Sequence, residues 1–116
     1  MSREIKFKAW DNVGKVMYQW GYLADIAYTT DFGQNYGNNL LRYDIMQFTG
    51  LQDKNGRDIY ESDVTVDKDG RPGCVLWMTD GFWVRNRNGT YGLSSAIQFF
   101  HIEIVGNICE NPELIE

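Results

Sequence analysis

The sequence predicts a mainly β protein: an N-terminal β-hairpin, a short helical or irregular segment, and an SH3-like small β-barrel. Three observations carry this. Short apolar runs alternate with polar residues at period two. Clusters of Gly, Asn and Asp punctuate those runs at intervals of about 8–12 residues, the spacing of short antiparallel strands. Toward the C-terminus, four strand-like runs, one short helical turn and a closing strand follow in the order of an SH3-like barrel. The 116 residues suit one domain, divided as hairpin 3–20, variable segment 21–44, barrel 45–109 and tail 110–116.

In the first element, Ile5, Phe7 and Ala9 fall on one face, and Glu4, Lys6 and Lys8 on the other, which marks a half-buried strand. Asp11-Asn12-Val13-Gly14-Lys15 is turn chemistry, with Gly14 expected at positive φ, and Val16–Trp20 returns as the second strand. In the variable segment, Tyr22–Tyr28 suits a short helix, and the uncharged stretch from Phe32 to Asn39 suits a long loop carrying Phe32 and Tyr36.

From Ile45 to Thr49 the chain is strand-like again, and Asn55-Gly56 signals a hairpin, both residues tolerating φ > 0. Further strands follow at Val64–Val66, Cys74–Met78 and Phe82–Arg85, separated by turns at 67–73, 79–81 and 86–89. Ser94 is placed to cap a helical turn that packs Ile97 and Phe100 inward. His101–Val105 reads as the last strand, with His101 an ordinary strand residue. No internal repeat or linker is apparent.

Four Trp, seven Tyr and six Phe exceed what a core of this size needs, and aromatic side chains favour interfaces. The net charge is −5, and all of the excess lies in residues 51–116. An acidic surface repels phosphate and disfavours duplex nucleic acid; it leaves open a basic partner or an acidic imitation of nucleic acid. No apolar run reaches about 18 residues, so no membrane span is expected. The alternating N-terminus does not resemble a signal peptide. Cys74 and Cys109 sit among apolar residues, as buried thiols of a reducing cytoplasm do.

A search for chemistry finds little. Asp58, Glu61 and Asp63, then Asp67 and Asp69, are the carboxylate clusters, and solvated turns explain them more simply than a metal loop does. His101 is the single histidine, and a pairing with Cys109 would have to cross a turn. No metal, cofactor or catalytic residue is assigned. Trp83, Arg85, Arg87 and Tyr91 form the one basic-aromatic mixture; with Phe32 and Tyr36 they make the candidate binding surface. Leu114 and Ile115, after Pro112 in an otherwise acidic tail, are candidate oligomer contacts.

Three blocks resemble the YopX family of bacteriophage and prophage proteins: Arg3–Asp11, Met46–Glu61 (MQFTGLQDKNGRDIYE) and Val105–Leu114 (VGNICENPEL). Their order and spacing agree nearly end to end, while residues 21–44 and the interior of the second part match poorly. Where the family carries glycine before an aspartate, this chain has Ser62-Asp63, which implies a locally changed turn if that glycine needs positive φ. The resemblance implies a phage-encoded intracellular homo-oligomer and supplies no catalytic residues. The expected function is therefore a non-enzymatic oligomeric binding module toward a host or phage protein. The alternative is a binder of a nucleotide-like small molecule, with aromatics stacking the base and Arg85 or Arg87 holding phosphate.

Overall fold

The computed structural model describes residues 5–19 and 43–115. It is mainly β, and the described residues fall into two compact units that divide between Gln47 and Phe48. Expectations for the segment 21–42, including a helix near Tyr22–Tyr28, lie outside the described residues.

In the first unit, β1 (Phe7–Asp11) pairs antiparallel with β2 (Val16–Tyr18), as the hairpin pattern requires. It gains a third strand that the sequence pattern did not show. The first half of β3 (Tyr43–Gln52) pairs with the other edge of β1, with Ala9 opposite Ile45. Both faces of β1 are therefore used: Ala9 is buried on one and Trp10 on the other. The turn differs from expectation. Lys15, not Gly14, holds positive φ, at 59°. Gly14 serves by its size, because the Asp11 carboxylate accepts its N–H and that of Val13, and a Cβ would stand 2.9 Å from Asp11 Oδ2.

In the second unit, the later part of β3 pairs with β4 (Asp58–Tyr60). The strands β5 (Asp63–Val66), β6 (Pro72–Met78), β7 (Gly81–Asn86), β8 (Gly89–Gly92) and β9 (Glu103–Asn107) form an antiparallel sheet in the order β8-β7-β6-β5-β9. The closing strand returns beside the first, which is the strand order of an SH3-like barrel. Helix α1 (Leu93–Phe100) fills the step before it.

Helix α1 forms because Leu93, Ala96, Ile97 and Phe100 recur at helical spacing on one face. Leu93 and Ala96 are buried with Ile59, Val75, Val84, Ile102 and Ile104, and Leu51, Phe82, Ile97 and Phe100 pack against that cluster. Ser94 is not the cap: Gly92 is, without a side-chain hydrogen bond. His101 is no strand residue either. It ends the helix in the left-handed conformation, φ 53°, a geometry normally given to Gly or Asn.

Contrary to the expectation of no internal repeat, the second unit contains a short one. Asp53-Lys54-Asn55-Gly56-Arg57 and Asp67-Lys68-Asp69-Gly70-Arg71 fold identically. In each, the Asp Oδ1 accepts the N–H groups two and four residues on, at 2.9 Å. In each, the glycine takes φ 81°. Asn55 is not among the positive-φ residues, so the hairpin is a three-residue loop closed by a left-handed glycine rather than a two-residue Asn-Gly turn. The two lysine N–H groups donate to Ile102 O (3.3 Å) and Phe100 O (3.0 Å). The repeated loops thus clamp the end of α1 and the start of β9.

Ser62 occupies the position where the family resemblance placed glycine, and its φ is 70°. A serine here bears the left-handed conformation that glycine adopts without strain. Asp63, expected in a solvated turn, is 1% exposed; it accepts the Tyr60 N–H (2.8 Å) and Asn107 Nδ2 (3.2 Å), tying β4, β5 and β9 together.

Candidate functional site

Cross-strand register in the β6–β7 hairpin decides which side chains can act together. Val75 faces Val84 and Trp77 faces Phe82, while Cys74 faces Arg85 and Leu76 faces Trp83. Period-two alternation puts the first two pairs on the inner face of the sheet and the other two on the outer. Tyr91, opposite Val84, belongs to the inner face and packs edge-on against Phe100 of α1, with ring centroids 5.0 Å apart.

The apolar pattern of the inner face runs on past the core to the hairpin end. There Trp77 and Phe82 meet edge-to-face, with ring centroids 4.7 Å apart, and Trp77 remains 52% exposed. Trp83 reaches from the outer face and donates its indole N–H to Asp80 (3.1 Å). These residues make one wall of an open groove of about 950 Å³. Phe48 and its β3 neighbours, Asp58, and the first residues of α1 make the rest. No lysine, arginine or histidine is among the described residues that line it.

A second concavity lies on the outer face. It measures about 420 Å³ and is lined by Leu76, Cys74, Arg85, Arg87, Ile108 and Leu114, among others. Leu114 belongs to the 3₁₀ turn Pro112–Ile115, which crosses β9 at a glycine: a Cβ on Gly106 would stand 2.6 Å from Leu114 Cδ1. Leu114 thus rests on its own domain and stays 37% exposed.

The candidate binding surface is therefore divided. Trp83 lines the groove, Arg85 and Arg87 line the outer-face cavity with Leu114, and Tyr91 is engaged with the helix. Phe32 and Tyr36 lie outside the described residues, as does the side chain of Ile115. The sequence pattern did not single out Trp77, Asp80 or Phe82, and it assigned Asp58 to a solvated turn. The run Trp77-Met78-Thr79-Asp80-Gly81-Phe82-Trp83 carries three large aromatics around one tight turn, and that density was the available signal.

Neither thiol is in a disulfide. Burial pushes the Cys74 thiol above its ordinary pKa, and the nearby Asp63 carboxylate adds to this against the opposing pull of Arg85. A neutral thiol is a poor nucleophile. Among the described residues no group of three or more His, Cys, Asp or Glu side chains is placed to hold a metal ion, and no helix is long and apolar enough to cross a membrane.

Fold and surface together define a small β-barrel protein with an aromatic, acidic groove. The chain belongs to the YopX protein family, whose model matches residues 6–116. It is similar to the crystal structure of protein EF1440 from Enterococcus faecalis, at 26% identity and a TM-score of 0.71, over 99% of this chain and 100% of that one. No curated protein matches it.

Proposed function

We propose that this chain is a non-enzymatic binding module of the host-cell cytoplasm that recognises a host or phage protein. The observation behind this reading is the groove at the β6–β7 hairpin end. Exposed aromatic faces attract apolar side chains and cations. Asp58 and Asp80, with no cation among the described lining residues, favour a basic segment over an acidic one. The partner chemistry is thus an apolar stretch bearing arginine or lysine. The net charge of −5 acts in the same sense, and duplex DNA is not a partner at physiological salt.

The module acts as a homo-oligomer. Val16 and Ile45 share one face of the first unit and are 43% and 49% exposed, which is the kind of surface a second copy covers. Light scattering on the full chain and on a version ending at Asn111 tests this. An assembly that survives truncation places the contact away from the tail, and a full-length monomer removes the oligomer from the proposal. For the groove, titration with Arg-containing and Glu-containing versions of one apolar peptide should show preference for the basic peptide. Equal affinities would overturn the assignment of partner chemistry.

A further inference from the structure

We infer that the outer-face cavity beside the C-terminal turn is a second, separate binding site, for a small aliphatic anion. Its volume of about 420 Å³ falls in the range of small-molecule pockets. Its walls are aliphatic: Leu76 from β6, Ile108 after β9 and Leu114 from the 3₁₀ turn. No aromatic residue is among the described residues that line it, and its aliphatic walls suit an alkyl body better than a stacked nucleobase.

Two guanidinium groups, Arg85 and Arg87, complete the lining. Neither makes an ion pair with a described residue, unlike Lys54, which pairs with Glu103, and Arg71, which pairs with Asp67 and Asp69. Among the described residues, no carboxylate pairs with the two cations that line this aliphatic cavity. Guanidinium forks bind carboxylate and phosphate in the same bidentate manner. The ligand chemistry is a carboxylate or phosphate head on an alkyl chain. The β6–β7 register sets Arg85 directly across from Cys74, so the head is held at the strands and the alkyl chain runs toward Leu114.

Octanoate and octyl phosphate are the probes. Acetate and inorganic phosphate supply the head alone, and octanol the body alone. Affinity is read from amide shifts of Cys74, Leu76 and Arg85 in NMR spectra. At least one of the two long-chain anions should bind, and which one identifies the head. Both heads alone and octanol should bind at least tenfold more weakly. Arg85→Gln with Arg87→Gln, at two exposed positions, should leave the melting curve unchanged and weaken binding at least tenfold. Trp77→Ala, in the groove, should leave it unchanged. The inference is overturned if octanol binds as tightly as the tighter of the two long-chain anions, if the double variant keeps its affinity, or if neither long-chain anion shifts these amides at millimolar concentration.

Discussion

Asp53 shows how one side chain organises several elements. It is 5% exposed, and Oδ2 accepts the Ile104 N–H at 2.8 Å while Oδ1 holds its own loop. Burial by itself raises its pKa, but hydrogen bonds from Ile104, Arg57 and Asn55 and the Arg57 charge outweigh it, and the net shift is downward. A carboxyl with a lowered folded pKa contributes stability above its unfolded pKa, and that contribution is lost as pH falls through the folded value. Asp53→Asn should therefore cost about 1.5–3 kcal/mol at neutral pH, and the gap from wild type should narrow below about pH 4. Denaturant midpoints across pH check this; a gap independent of pH would contradict it. Ser62 argues in the opposite direction. A non-glycine residue in the left-handed region costs roughly 1–2 kcal/mol, and both backbone hydrogen bonds of Ser62, to Val75 O and from Ile108 N, survive substitution. Ser62→Gly should stabilise the protein by about 1 kcal/mol, seen as a higher melting temperature.

At the scale of elements, the repeated Asp-Lys-x-Gly-Arg loops explain what could be read and what could not. Both were legible as turns, because Asp and Gly are turn residues. Their shared role as a clamp on α1 and β9 was not, since it rests on long-range backbone contacts that local composition does not encode. Gly56→Val should cost on the order of 1–3 kcal/mol by forcing a β-branched residue to positive φ, and an unchanged melting temperature would contradict the loop geometry. Helix α1 was legible from Ile97 and Phe100, and its end at Phe100 agrees, but its cap was placed at Ser94 rather than Gly92. A Gly92 cap without a side-chain hydrogen bond and a left-handed His101 are boundaries imposed by packing rather than by preference. Trp83, Arg85, Arg87 and Tyr91 are neighbours in sequence, yet alternation and a hairpin turn send them to three different places. The groove was half visible: Trp83 was singled out, while Trp77 and Phe82 were read as ordinary strand residues. Core and rim share the same alternation, and only the hairpin's length past the core exposes the rim.

For the whole molecule, the barrel order was legible because four strands, a helical step and a closing strand leave few ways to cover one core. The third strand of the first unit was not, because β3 pairs across a long intervening segment. The central claim is that the groove at the β6–β7 hairpin end binds a basic, apolar protein segment. Its most direct test is an NMR titration of the tryptophan indole N–H signals with an Arg-bearing apolar peptide, in wild type, Trp77→Ala and Asp80→Asn. The account predicts that the Trp83 indole signal shifts in wild type, and that affinity falls at least tenfold in Trp77→Ala. It also predicts a smaller, salt-sensitive loss in Asp80→Asn. Equal affinities in all three proteins, or no shift of any indole signal, would contradict it.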